Sequence, residues 1–247
     1  MSNELIIKKI EFTKIPKGNG LFYWTWEDYC FMPYGWIEEK QLKELPVPFL
    51  LLDIHPDCLI GFESDEKDGI TNIIELPEKF GLLKIDSDLR KDLKRIEKKN
   101  AEIRIEFNEK DALDKSKQWF QELWHEEEED FSRRLIVWKK KAYTLSAYSG
   151  NELIGVHVAI EGKETIYYLG CWWNRKYKSQ SIPIFMIKKD IEKAIESKKK
   201  YYDLGVGDEP YKKDWNVIEK PTKYYAILTK ELAEKTGIKK FIEIKEK

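Results

Sequence analysis

The chain has 247 residues, of which 42% are hydrophobic and 13% aromatic, enough apolar material for one large core or two small ones, so a disordered chain is excluded. Lys and Arg number 44 against 45 Asp and Glu, a formal net charge of -1, which excludes a globally basic nucleic-acid surface and makes any polyanion site local. No stretch approaches the roughly 18 uninterrupted apolar residues of a membrane span, and Met1-Ser2-Asn3-Glu4 opens no basic-then-apolar leader, so the expected setting is cytoplasmic without a membrane partner.

From Glu4 to Ile85 the pattern is strand-like and aromatic, with short apolar runs such as Phe49-Leu50-Leu51-Leu52 between prolines and acidic turns. Asp86 and Ser87 then offer an N-cap. Leu89, Leu93 and Ile96 recur at helical spacing behind them, while Arg90, Lys91, Lys94, Arg95, Lys98 and Lys99 occupy the other faces. This predicts a basic amphipathic helix ending at Asn100, followed by a strand over Ala101 to Phe107. A second helix is predicted from Asp111 to Trp124, burying Ala112, Trp119, Phe120 and Leu123 and leading into the acidic run Glu126 to Asp130, read as a solvated face.

Ala142 to Tyr148 and Glu152 to Ile160 read as strands joined by the turn Ser149-Gly150-Asn151, and Thr165 to Trp173 as a third strand after Glu161-Gly162-Lys163. A helix follows from Ile182 to Lys198, with Ile184, Ile187, Ile191, Ala194 and Ile195 on one face, and then a short strand from Tyr201 to Val206. A strand, crossover helix and strand in this order place Tyr201 to Val206 parallel to a strand of the same sheet. Thr222 to Thr229 and Ile238 to Ile244 supply the last two strands, with a short helix from Lys230 to Lys235 between them.

Cys30, Cys58 and Cys171 lack CxxC or zinc spacing and read as reduced, buried thiols, while His55, His125 and His157 share no spacing and sit near no nucleophile motif, so no metal site is expected. His157, inside a predicted strand, reads as a satisfied buried histidine. Trp24, Trp26, Trp36, Trp172 and Trp173 are compatible with a sugar- or peptide-binding groove and equally with packing in strands.

Three antiparallel strands, a helix, a parallel strand and a final strand pair is the element order of the GNAT acyltransferase core, which the chain resembles from about Ala142 to Lys245. Two segments sharpen the resemblance to FemAB-like and CelD-like members. One is Tyr202-Asp203-Leu204-Gly205-Val206-Gly207-Asp208-Glu209-Pro210-Tyr211-Lys212-Lys213-Asp214-Trp215, similar to the family's aromatic-Asp strand, Gly-Asp turn and Tyr-Lys. The other is the basic helix from Leu89 to Lys99. The resemblance implies an α/β fold, a GNAT-like mixed sheet with flanking helices, preceded by a smaller, abbreviated GNAT-like domain. The divisions are residues 1–86, a basic helix and linking strand at 87–110, and a C-terminal domain at 111–247.

The activity it implies is N-acyl transfer from a phosphate-bearing donor, acyl-CoA or alternatively aminoacyl-tRNA, to an amine. In GNAT enzymes the loop entering the central helix carries glycines whose N–H groups cradle the donor's pyrophosphate. Here that loop is Asn174-Arg175-Lys176-Tyr177-Lys178-Ser179-Gln180-Ser181-Ile182, without glycine, so Arg175, Lys176, Ser179, Gln180 and Ser181 are the donor-binding candidates, with Ser181 placed to cap the helix. Lys212 is expected as an exposed side chain on a stiff loop after Pro210, stabilising negative charge, and Tyr211 as a proton donor to the leaving group. Asp203 is read either as catalytic or as an acceptor of backbone N–H bonds that fixes the loop. Two other classes stay open: a binding module that kept the fold without catalysis, and an RNA-associated protein, with tRNA as partner of the basic helix.

Overall fold

The computed structural model describes residues 24–26, 29–32, 49–54, 61–63, 69–109, 111–124, 135, 138–139, 142–236, 239–240 and 242–243. The acidic run 126–130, His55, His125, Trp36 and Cys58 lie outside them. In chain order the first strands are β1 (Trp24–Trp26), β2 (Tyr29–Met32), β3 (Phe49–Ile54), β4 (Phe62–Glu63) and β5 (Ile70–Glu75). Helix α1 (Ser87–Lys99) starts as its sequence predicts, because the Asp86 carboxylate accepts from Asp88 N at 2.7 Å and Leu89 N at 3.4 Å, satisfying N–H groups that no helical turn reaches. Its buried stripe is Leu89, Leu93 and Ile96.

After β6 (Ile103–Phe107) the single helix expected from Asp111 to Trp124 is broken into α2 (Asp111–Lys115) and α3 (Lys117–Trp124). Ser116 is the cause. Its buried hydroxyl donates to Leu113 O at 3.2 Å and accepts from Trp172 Nε1 at 2.7 Å, and a serine that bonds back to a carbonyl within the previous turn competes with the helix ladder. The meander follows as predicted: β7 (Tyr143–Ser149), β8 (Glu152–Glu161) and β9 (Thr165–Trp173), with Gly150 at φ 58° turning the first hairpin. Residues Arg175–Gln180, expected as a loop, form a 3-10 helix. Then come α4 (Ile182–Glu196), β10 (Tyr201–Val206), a short helix α5 (Pro210–Lys213), β11 (Ile218–Pro221), β12 (Lys223–Leu228), α6 (Lys230–Thr236) and β13 (Ile242–Glu243).

The chain forms two compact units: Met1–Thr71 with Val206–Asp208 and Glu219–Lys247, and Asn72–Gly205 with Glu209–Ile218. The first holds a sheet in the order β1-β2-β3-β12-β13, with β4 also paired to β12. The C-terminal strands β12 and β13 therefore pair with the N-terminal strands rather than extending the meander. Ala226, Leu228 and Ala233 are buried in this unit, and Thr222 ties to Gly69 O through both its N–H (2.6 Å) and its hydroxyl (2.9 Å).

The second unit carries β5-β10-β9-β8-β7-β6 in that order, with β11 the remaining edge strand of the sheet. The β6-β7-β8-β9 ladder is antiparallel, and β10 joins β9 in parallel, as a crossover through α4 requires. On one face Trp172 stacks on Trp138 at 5.4 Å and meets Phe120 edge-on at 5.0 Å. On the other lies α4, and a buried carboxylate holds it there. Asp190 Oδ1 accepts from Tyr143 OH (2.6 Å), and Oδ2 accepts from Tyr202 OH (2.9 Å) and pairs with His157 Nε2 (2.9 Å); Asp190, His157 and Tyr202 are all 0% exposed. His157 is thus buried as expected, although its Nδ1 has no partner among the described residues.

Gly155 brings the α4 N-terminus close to β8, since a Cβ there would lie 2.7 Å from Ile182 Cγ2 and 3.1 Å from Met186 Sδ. Gly155→Ala is therefore expected to cost about 1–3 kcal/mol by overpacking, read as a lower urea midpoint at unchanged m-value. Asp190→Ala strands three buried donors and is expected to cost about 3–5 kcal/mol. Burial, and next the Asp190 charge, hold the Tyr143 and Tyr202 phenols well above the ordinary tyrosine range. Their folded pKa values being raised, this contribution is complete below about pH 10 and is lost as pH rises past it, so alkaline denaturation of Tyr202→Phe should begin at a higher pH relative to its own neutral stability.

Candidate functional site

The parallel ladder between β9 and β10 is registered over Thr165, Ile166 and Tyr167 against Tyr201, Tyr202 and Asp203. Beyond it β9 runs on to Trp173. A bulge interrupts β9 at that point: Ala159 pairs with Tyr168 and Val158 with Gly170, leaving Leu169 as the extra residue. On the other strand Gly205 adopts φ 78°, a conformation that favours glycine, and ends the straight course of β10. The paired ladder is confined to the starts of the two strands, although Gly205 still passes close to β9, a Cβ there lying 3.5 Å from Tyr168 O; beyond these C-terminal ends is where open α/β sheets hold ligands.

The Gly205 peptide is fixed from three directions. Its N–H donates to Asp203 Oδ1 at 2.8 Å, and its carbonyl accepts from Asn72 Nδ2 at 3.1 Å and Lys212 Nζ at 3.3 Å. Asp203 is 0% exposed, so of its two readings the loop-fixing one is what its hydrogen bond serves.

Lys212 departs from the sequence expectation. Pro210 opens α5 at a position where its missing N–H costs nothing, and the turn it starts carries Lys212 inward to 2% exposure, with Nζ 2.7 Å from Glu209 Oε2. The exposed lysine on a stiff loop is instead a buried lysine in a helical turn, because the Gly205 carbonyl and the Glu209 carboxylate offer its ammonium a bonded place. Tyr211, one residue earlier, is half-buried. Burial, then the Glu209 charge, push the Tyr211 phenol upward.

The donor-loop candidates gather where β9 leads into α4. Asn174 accepts from Lys176 N at 3.1 Å and starts the 3-10 turn, and the Arg175 guanidinium lies 4.7 Å over the Trp173 ring, an arrangement that holds the cation in place. Arg175, Lys176, Lys178 and Ser179 are exposed. Lys99 Nζ donates to Ser179 O (2.7 Å) and Asn100 Nδ2 to Gln180 O (2.8 Å), so the basic end of α1 is joined to this turn.

Ser181 does not cap α4. It sits at φ 52°, ψ 43° with no capping hydrogen bond from its side chain, in the left-handed conformation a glycine would supply more cheaply. Pro183 removes one further N–H from the first turn of α4.

The sequence-derived residues therefore fall in two groups: Asp203 within β10 with Tyr211 and Lys212 in the turn after it, and Arg175, Lys176, Ser179, Gln180 and Ser181 beyond β9. Glu209 was missed. It is one carboxylate among 45 acidic residues and carries no sequence signal before its neighbours are known. Among the described residues no cluster of His, Cys, Asp or Glu suits a metal ion, and no helix is long and apolar enough to cross a membrane. Lys212→Met, which leaves the buried Gly205 carbonyl and the Glu209 carboxylate without this donor, is expected to lower stability by about 1–3 kcal/mol in chemical denaturation. Unaltered stability would return Lys212 to the ordinary surface lysines.

Residues 84–213 match the family model of the acetyltransferase (GNAT) domain, and no curated protein sequence matches the chain. Solved structures share the fold at low identity. FemX superposes with TM-score 0.62 at 12% identity, covering 91% of this chain and 88% of its own. The L-PGS structure from Bacillus licheniformis gives TM-score 0.58 at 11% identity, and the C-terminal domain of a putative lysylphosphatidylglycerol synthetase from Agrobacterium fabrum gives 0.58 at 10%, each covering 83% of this chain and 79% of its own. With a domain match spanning more than half of its 247 residues, on a mixed sheet whose parallel strands β9 and β10 are joined through α4, the chain belongs to the acetyltransferase (GNAT) family.

Proposed function

We propose that the chain transfers an acyl or aminoacyl group from a phosphate-bearing donor to an amine, beyond the paired ladder of β9 and β10. The observation that carries this reading is the end of the β9–β10 ladder at Tyr167 and Asp203, with a cationic turn beyond one strand and the Tyr211–Lys212 turn beyond the other. An extended donor arm fits between strands whose facing backbone groups no longer pair with each other.

Acyl-CoA fits the residues by charge: Arg175 stacked on Trp173, with Lys176 and Lys178 exposed on the same short helix, makes a cationic mouth at the start of α4. A serine in the left-handed position and Pro183 replace the glycine cradle, so side-chain cations contribute more here than backbone N–H groups. The donor when bound supplies the activated carbonyl. Arg175, Lys176, Ser179, Gln180 and Ser181 hold its phosphates, Tyr211 delivers a proton to the departing atom, Lys212 keeps the turn and its charge in place, and Asp203 sets the bend at Gly205.

One observation favours aminoacyl-tRNA as the donor. The hydrogen bonds from Lys99 and Asn100 to the 175–180 turn set the last turn of α1 beside the donor mouth, so Lys98, Lys176 and Lys178 are exposed together, and none of them carries an ion pair among the described residues. Arg90, Lys91 and Arg95 are committed elsewhere, to Leu83 O, Asp88 and Asp92. Thermal shifts with acetyl-CoA and with bulk aminoacyl-tRNA at two salt concentrations separate the donors, since a ligand at a hundred times its Kd adds about 2.7 kcal/mol and only the RNA responds steeply to salt. Arg175→Glu should weaken whichever donor binds by about 1–3 kcal/mol, with the fold intact. Absence of a shift with either donor would refute the transfer reading.

A further inference from the structure

Strand β6 ends the sheet of the second unit, and no described residue pairs with its outer edge. Which groups that edge presents follows from its ladder with β7. The register runs unbroken from Ile103 opposite Ser149 to Phe107 opposite Leu145, and just beyond it Asn108 N donates to Thr144 O at 2.8 Å. Bonding residues alternate along an antiparallel ladder, so Arg104 and Glu106 turn their backbone groups to β7, while Ile103, Ile105 and Phe107 turn theirs outward. The Ile103 N–H is taken by Asn100 O at 2.9 Å. The N–H groups of Ile105 and Phe107 and the three outward carbonyls are left as a template for another strand, which is what proteins ordinarily block.

The side chains of β6 select that strand. On one face exposed Arg104 is ion-paired with half-buried Glu106. On the other, Ile103 and Ile105 pack against the core, and Phe107, 42% exposed, carries the Lys193 ammonium 4.4 Å from its ring centre. Two copies of β6 related by a two-fold axis at Ile105 set Arg104 opposite the partner's Glu106 and Ile103 opposite the partner's Phe107. Ile105 then exchanges both backbone bonds with its own copy, and the Phe107 N–H donates to the partner's Ile103 carbonyl. A slip of two residues in either direction keeps the backbones in step but sets Arg104 against Arg104 or Glu106 against Glu106, like charges at the close, non-bonded spacing. The register centred on Ile105 therefore matches backbone, charge and apolar groups together, and self-complementarity of this kind is what a two-fold contact requires.

We propose that the outer edge of β6 is the contact surface for a second copy of this chain, the two β6 strands pairing antiparallel about Ile105 so that one sheet runs through both copies. Five residues make a short edge, so the association is weak and set by protein concentration.

The test is sedimentation velocity of the full chain from about 1 μM to about 100 μM, with hydrogen exchange followed at the Ile105 and Phe107 amides. The dimer fraction should grow with concentration, and both amides should exchange more slowly at the upper end. Arg104→Glu should weaken association by about tenfold or more, and adding Glu106→Arg should restore it, since the pair of opposite charges is then rebuilt in reverse. Should Arg104→Glu not fold, Ile105→Pro removes an N–H that points away from β7 and should abolish the dimer while keeping the β6–β7 ladder. A monomer at every concentration overturns the proposal, and slow exchange of the two amides in that monomer would give the edge to a segment of the same chain instead. A dimer that Arg104→Glu leaves at full strength, or Ile105→Pro leaves intact, also overturns it by placing the contact elsewhere. No donor or acceptor is needed, so the outcome is independent of the transfer reading.

Discussion

Asp190 is a carboxylate with no exposure, and a charge in such a place persists only where donors replace the water it has lost. Three strands provide them: Tyr143 from β7, His157 from β8 and Tyr202 from β10. One side chain of α4 thereby fixes the helix to both the antiparallel meander and the parallel strand beyond it. Greasy contacts alone would permit α4 to slide or roll along the sheet, since apolar attraction has no direction, whereas hydrogen bonds to one carboxylate do not. Lys193, 3.7 Å from the Tyr143 ring and 4.4 Å from that of Phe107, adds a cation against the same group.

With α4 fixed, the ends of the parallel strands are fixed too. Gly155 lets the first turn of the helix lie directly on β8, and the entry to that turn is where Arg175 stacks on Trp173. At the other side, Lys188 links the helix to α1 through Glu97 at 2.6 Å, with its ammonium 4.6 Å over the Phe80 ring. The basic end of α1 arrives beside the donor mouth for the same reason. The turn that carries the cationic candidates is thereby tied to both helices.

Polar burial recurs beside β10 and α4. Lys212, Asp203 and Asp190 are all almost wholly buried, and each is engaged by groups of complementary character. Replacing such clusters by apolar residues is often neutral for stability, whereas removing one member is costly; their value lies in holding a single arrangement of the strand ends.

Much of the fold was legible from periodicity. The cap at Asp86, the Leu89-Leu93-Ile96 stripe, the Gly150 turn and the strand-helix-strand crossover are local or near-local signals, and chain geometry leaves them few alternatives. What the sequence by itself could not contain was any relation set by burial between distant residues: the break at Ser116 made by Trp172, the pairing of β12 and β13 with the N-terminal strands, the inward turn of Lys212, and the gathering of Tyr143, His157 and Tyr202 around Asp190. A lysine reads the same in a one-dimensional pattern whether it faces water or a buried carbonyl, because its environment is supplied by residues far away in the chain. Local spacing determined the elements and their order; only tertiary packing decided which polar groups lost their water, and hence which of them came together.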